Sequence, residues 1–172
     1  VPSVTNVADG KVEVKVEVTR TGYNPAVATT TIEITPATTG ATGTGYDKKY
    51  DGLPHGITVT PDVTAGSTIA YSYTQGTQPS DYTLTTNPTR TDYTPGTTVY
   101  FVVTNPNYLP VYGSAAIKIN PREIKVTTAT ASKPYDGTAL TNTGYTEDAG
   151  SDGFYDTQGF ATAAATGTIT NA

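Results

Sequence analysis

The sequence predicts an all-β chain of tandem antiparallel β-sandwich repeats, each about 85 residues long. Three observations lead there. The first is self-similarity: Tyr50-Asp51-Gly52 recurs at Tyr135-Asp136-Gly137. The same 85-residue shift places Val14 on Val99, Val18-Thr19 on Val103-Thr104, Tyr23 on Tyr108, Pro25 on Pro110, Ile32 on Ile117, Ile34 on Ile119 and Pro36 on Pro121. From Val14 to Gly52 that makes 13 identities in 39 positions, and such periods define the architecture before any local reading does. The second is composition. The 172 residues are rich in Thr and Gly, with 13 Tyr, 12 Pro and no Cys, Met or Trp. Thr, Val, Ile and Tyr suit a pleated, half-buried surface, and regularly spaced Gly and Pro mark turns. The third is the lack of sustained 3.6-residue apolar periodicity, so almost no helix is expected.

In chain order, residues 1–36 read as the second half of a repeat, 37–121 as a complete repeat and 122–172 as a first half. Pro2 to Gly10 echoes Pro88 to Gly96, one residue out of register, before the strands align. In the central repeat Ile57 to Thr60 alternates, and Thr68 to Thr74 places Ile69, Tyr71 and Tyr73 on one face. Asp81 to Thr85 reads as a weaker strand. Thr97 to Thr104 turns Val99, Phe101 and Val103 inward, and Ala115 to Ile119 turns Ala115, Ile117 and Ile119 inward. Pro61, Gly66, Gly76, Pro79, Pro88, Pro95-Gly96, Pro106 and Pro110 separate these runs, a spacing typical of an antiparallel sandwich. Ile124 to Thr128 opens the next repeat directly after Pro121, which favours a stiff rod.

The two end pieces are complementary halves, and neither can bury a sandwich core alone. Three arrangements are open. The chain is a window of a longer array, its end halves are completed by neighbouring copies, or its two ends fold together around the central repeat. The second would build a head-to-tail filament, because a heterologous contact that does not close propagates.

Net charge is −5 and the ten basic residues are scattered, which argues against nucleic-acid binding. No apolar run reaches the length a spanning helix needs, so no membrane insertion is expected in this segment. Lack of Cys removes disulfides and thiolate metal sites. A chain without Cys or Met also resists oxidation, which suits an exposed surface.

These residues carry a family likeness. Lys49 to Val59 (KYDGLPHGITV), with Val103-Thr104-Asn105-Pro106-Asn107-Tyr108 and Ile117-Lys118-Ile119, resembles bacterial surface Ig-like repeats. Lys133 to Thr141 (KPYDGTALT) resembles the MBG-type, mostly bacterial Ig-like, repeats that often follow them. The likeness implies tandem Ig-like sandwiches in large secreted, commonly wall-anchored proteins that serve as stalks, adhesins or filaments. It brings no catalytic site and no cofactor.

The same residues carry the candidate chemistry. Tyr50-Asp51-Gly52 and Tyr135-Asp136-Gly137 read as a structural motif: a ring packed at the sandwich edge, an Asp bonding nearby amides, and a Gly free to take positive φ. Asp148 to Asp156 has spacing reminiscent of a calcium loop, but loop positions 3 and 12 would be Gly150 and Gly159, so it reads as a polar surface loop. His55 is the lone histidine and reads as a turn residue beside Pro54, leaving catalysis and His-based metal binding without a basis. Lys48 or Lys49 with Asn120 could supply two members of an autocatalytic isopeptide bond, which also needs a buried acid. Of Tyr46, Tyr71, Tyr73, Tyr82, Tyr93, Tyr100, Tyr108 and Tyr112, about half read as core or cross-strand packing residues with a polar tip at the surface, and Tyr100 and Tyr73 are the candidates for stacking on a ligand. The expected function is a non-enzymatic shaft of an adhesin or filament on the bacterial cell surface, with adjacent repeats or copies of itself as partners. The alternative is an adhesin module that binds a polysaccharide or host protein.

Overall fold

The structure, a computed structural model, describes residues 2–142, 144–148 and 150–155. Among them the chain forms twelve strands and two three-residue 3-10 turns. A hairpin of β1 (Val12–Val18) and β2 (Ala26–Ile32) comes first. The central segment holds β3 (Ala41–Thr44), β4 (Tyr46–Lys49), β5 (His55–Gly56), β6 (Thr58–Pro61), β7 (Thr68–Ser72), β8 (Thr89–Arg90), β9 (Thr94–Asn105) and β10 (Tyr108–Asn120). Last come β11 (Val126–Thr128) and β12 (Tyr145–Glu147).

The core forms where β9 and β10 cross the central segment. Their alternating apolar residues Val99, Phe101, Val103, Ile117 and Ile119 are all buried, with Ile57 and Tyr71 against them. These strands belong to a four-stranded sheet of order β4-β10-β9-β7. The two-stranded sheet β3–β6 adds Ala41 and Val59 to the same core. The Phe101 ring decides how closely the strands approach. Gly113, its cross-strand partner, and Gly43 of β3 both face the ring, and a Cβ at either would strike it. The side of the sheet opposite Phe101 is also covered near its middle. Val102 is buried there beside its partner Tyr112, whose ring lies 5.7 Å from that of buried Tyr82.

Two expectations are corrected here. The sheets are not wholly antiparallel, because β4 runs parallel to β10, pairing Tyr46 through Lys49 with Ile117 through Asn120. A parallel bridge between Ala37 and Tyr108 begins the same association. Ala37 and β4, both early in the segment, therefore lie beside its last strand, β10, and run the same way. Residues 81–85 are not a strand either. A 3-10 turn at Pro79–Asp81 replaces it, and the Asp81 carboxylate accepts the amides of Thr77 and Gln78 at 2.8 and 3.0 Å. Pro79 has no N–H for a ladder and Asp81 competes for its neighbours' amides, so only Leu84 pairs, at one bridge with Tyr71.

The 85-residue shift acts on backbone pairing as well as on identities. All seven β1–β2 pairs, from Val12 with Ile32 to Val18 with Ala26, reappear as Thr97 with Ile117 through Val103 with Val111. The β3–β6 pairing of Gly43 with Val59 reappears as Thr128 with Tyr145 in β11–β12, a shift of 85 on one strand and 86 on the other. One residue is thus inserted between Gly137 and Tyr145. The closing bond recurs too: Asp62 N–H to Gly40 O at 3.0 Å becomes Asp148 N–H to Lys125 O at 2.9 Å. The Pro2–Gly10 echo does not survive. Its 3-10 turn, Val7–Asp9, has no counterpart at 92–94; it matches Pro79–Asp81, where an Asp likewise accepts two preceding amides.

The β1–β2 hairpin is amphipathic without being buried. Val12, Val14, Val16 and Val18 share one face and Glu13, Lys15 and Glu17 the other. Val16 and Val18 are exposed, although their counterparts Phe101 and Val103 lie in the central core.

Candidate functional site

The Tyr-Asp-Gly motif builds one turn twice. Asp51 Oδ1 accepts the Leu53 amide at 3.0 Å and Asp136 Oδ1 accepts the Thr138 amide at 2.9 Å. Gly52 and Gly137 follow in the left-handed region, at φ 71° and 75°, where a side chain is costly. The tyrosines differ. Tyr50 packs on the core and its amide bonds Asn120 O at 2.8 Å, at the end of β10. Tyr135 is 99 % exposed, which corrects the expectation of a ring packed at a sheet edge. No strand lies within residues 129–142, so no edge stands beside it.

His55 is not a simple turn residue. It sits in β5 opposite Arg90, with Nε2 at 2.7 Å from Asp51 Oδ1 and 3.0 Å from the Tyr46 hydroxyl. Its ring stacks on that of Tyr46, centroids 3.8 Å apart and planes 11° from parallel. The His55 hydrogen bond, then the Leu53 amide, holds the Asp51 carboxyl below the usual carboxylate range. Desolvation, then the Asp51 charge, pushes the Tyr46 phenol up. The cluster ties the Asp51 turn to β4 and β5. A histidine four residues beyond the Asp was the available signal, but Tyr46 reaches it only through the fold. Among the described residues no three His, Cys, Asp or Glu side chains are placed to hold a metal.

The same turn receives residues 152–155. Arg122 donates Nε–H to Gly153 O at 2.7 Å, one terminal N–H to Tyr50 O at 3.4 Å, and another to Asp152 O. Lys49 Nζ pairs with Asp152 Oδ1 at 2.5 Å, and the Glu123 amide donates to Oδ2 at 2.7 Å. The Tyr155 ring meets Tyr50 edge-on at 5.9 Å and lies over Gly52 so closely that a Cβ there would strike it. Beside it opens a cleft of about 430 Å³ whose lining includes Tyr50, Tyr93, Phe154 and Tyr155 together with Asp92 and Arg122. At the other end of β10, Asn107 receives the amino-terminal turn: its Oδ1 accepts the Val7 amide at 3.0 Å and its Nδ2 donates to Asn6 Oδ1 at 3.3 Å.

This arrangement corrects the reading of residues 148–156 as a surface loop, calcium-like or not. Both Asp152 oxygens are occupied by Lys49 and the Glu123 amide, and Asp148 Oδ1 accepts the Thr127 hydroxyl at 2.6 Å. Asp156 and Gly159 lie outside the described residues. The Lys49 hydrogen bond, then the Glu123 amide, lowers the Asp152 pKa below its ordinary 3.8. A carboxyl depressed on docking favours the docked form above its free pKa, and that preference fades as pH falls through the docked value. Acidification below about pH 3.8 is therefore expected to release residues 152–155 from the Tyr50 turn, seen as loss of the Glu123 amide's NMR shift while core amides stay in place.

The other candidates disperse. The isopeptide set is not assembled: Asn120 Nδ2 bonds Asp47 Oδ1 at 2.6 Å, Lys49 is held by Asp152, and Lys48 Nζ sits 5.9 Å from the Tyr46 ring centroid. Asp47 also pairs with Lys118 at 3.2 Å. Hydrogen bonds from Asn120 and Lys118 lower its pKa, whereas proton shuttling needs it raised. Tyr100 is half-buried opposite Ser72, on the face away from Phe101. Tyr73 is partly exposed just beyond β7, with the Arg90 guanidinium 4.8 Å over its ring. Sequence reasoning missed Arg122, Asp152 and Tyr155, whose partners are 29 to 105 residues away for reasons only the docked fold supplies. No protein-family model, no curated protein and no solved structure matches the chain.

Proposed function

We propose that this chain is a non-catalytic, load-bearing stretch of an extracellular bacterial surface protein, in which Ig-like sandwich units follow one another as a shaft. One observation carries the reading: the early part of the central segment is hydrogen-bonded in parallel to its last strand, Ala37 beside Tyr108 and β4 beside the end of β10. The chain enters at the Asn107 end and leaves at the Arg122 end. Between them runs β10, 13 residues long, or about 43 Å. Tension applied through the flanking residues pulls β4 and β10 in opposite directions along their lengths. Their bonds are then loaded together, whereas a hairpin pulled at its open end loses them one at a time.

The two docking points extend this path. Asn107 at one end, by two hydrogen bonds, and the Arg122–Asp152–Lys49 cluster at the other, by several, tie the central unit to its neighbours. The resemblance to bacterial surface Ig-like repeats supplies the extracellular, cell-surface setting. Single-molecule pulling tests the reading. The expected trace has one resistant event for the central unit, at clearly higher force than the opening of β1–β2. Unravelling of both at similar low force would contradict it.

A further inference from the structure

The chain has no Cys, Met or Trp, which leaves its 13 tyrosines as the side chains that give up an electron most readily. Among the described residues two tyrosine pairs bring their rings together, Tyr50 with Tyr155 and Tyr82 with Tyr112. The two pairs are posed differently. Tyr155 meets Tyr50 at 79°, which turns the edge of one ring onto the face of the other. Tyr82 and Tyr112 are tilted by 42° with centroids 5.7 Å apart, a pose that suits two rings twisted about a bond between their ortho carbons. Access is divided between them. Tyr112 is 41 % exposed and open to a diffusible oxidant, whereas Tyr82 is 5 % exposed with Tyr112 beside it. The Tyr82 ring is also held in place. Its hydroxyl donates to Gly76 O at 3.3 Å, and a Cβ at Gly76 would strike the ring.

We infer that Tyr82 and Tyr112 are an oxidative cross-linking site, at which a one-electron oxidant joins the two rings as dityrosine. The oxidant takes one electron from each phenol, and each O–H proton passes to water. The two phenoxyl radicals couple through their ortho carbons, and the hydrogen on each joined carbon then moves to its phenol oxygen, restoring both aromatic rings. One C–C bond forms and two ring C–H bonds break. The pair loses two protons to water and two electrons to the oxidant, which is reduced. The product acts where the fold is loosely tied. The stretch between β7 and β8 contains no strand and meets the sheet at one bridge, Leu84 with Tyr71. A bond from Tyr82 to Tyr112 fastens that stretch to β10 and closes a covalent loop in a chain without disulfides, which restricts the unfolded state as a disulfide does. The bond depends on how the two rings are placed, and not on the chain's serving as a shaft.

The test exposes the dilute 172-residue chain to a small photo-generated one-electron oxidant, a ruthenium tris-bipyridine complex with persulfate, and reads intact mass, dityrosine fluorescence and cross-linked peptides. The expected product is a monomer lighter by two hydrogen atoms, with the Tyr82–Tyr112 peptide pair exceeding every other intramolecular pair several-fold. Tyr112→Phe keeps the ring, and with it the packing, but lacks the phenol; it should remove that peptide pair, while Tyr100→Phe, on the same face of the sheet, should leave it. Oxidation in urea should lower the yield several-fold, because the fold and not the sequence brings the rings together. Pulled between its ends, the oxidised chain should release a contour shorter by the stretch from Tyr82 to Tyr112, about 10 nm. A folded chain that yields no such lighter monomer, a cross-link that maps mainly to other tyrosines, or a yield indifferent to urea would each overturn the inference.

Discussion

Phe101→Ala is expected to lower the stability of the central unit by about 3–5 kcal/mol, the usual range for deleting a buried phenyl ring. The ring is about 1 % exposed and fills a slot between Gly43 and Gly113, which have no side chains to collapse into the space. The loss should approach the upper part of the range for that reason. Val16→Ala at the same register position removes side-chain atoms that are already half in water, and in dilute solution should cost less than about 1 kcal/mol. Urea unfolding followed by tyrosine fluorescence measures both. Similar losses for the two would mean that β9 and β1 do not differ in burial as described.

Gly52→Ala is expected to cost the central unit about 2–3 kcal/mol, part from a left-handed backbone and part from the displaced Tyr155 ring. Gly137→Ala is the control at the copied turn. Its φ is nearly the same, but nothing lies within 4 Å of a Cβ at that site. It should leave the central transition unmoved, since residue 137 lies outside that unit. Calorimetry on the two variants gives the comparison, and NMR contacts between Tyr155 and Tyr50 should vanish only in Gly52→Ala. Tyr155–Tyr50 contacts that persist in Gly52→Ala would remove Tyr155 from the Tyr50 turn.

How much of this was legible in the sequence depends on the kind of residue. The inward faces of β9 and β10 could be read directly, because Val99, Phe101, Val103, Ile117 and Ile119 alternate with the two-residue period of a strand. The turn at Asp51-Gly52 was legible for a local reason: an Asp that bonds the second following amide needs no distant partner. What escaped depends on contacts far along the chain. Tyr46-Asp47-Lys48-Lys49 looks too polar for a strand, yet forms an edge strand that leaves its charges in solvent and joins β10 through the backbone. Arg122 and Asp152 look like ordinary surface charges until two segments dock. Tyr135 misled in the opposite sense, since identity with Tyr50 carries the turn but not the sheet that covers the ring.

The central claim is that load passes through the parallel β4–β10 pair, and pulling the Lys48→Pro variant beside the parent chain tests it most directly. The Tyr50 amide bonds Asn120 O at the end of β10, so by strand alternation the Lys48 amide also faces β10, and proline removes that donor. The account predicts one resistant event in the parent, releasing the contour of residues 37–120, about 25–30 nm. In Lys48→Pro the same length should be released at much lower force. An unchanged force in the variant, or a resistant event whose released length does not correspond to residues 37–120, would contradict it.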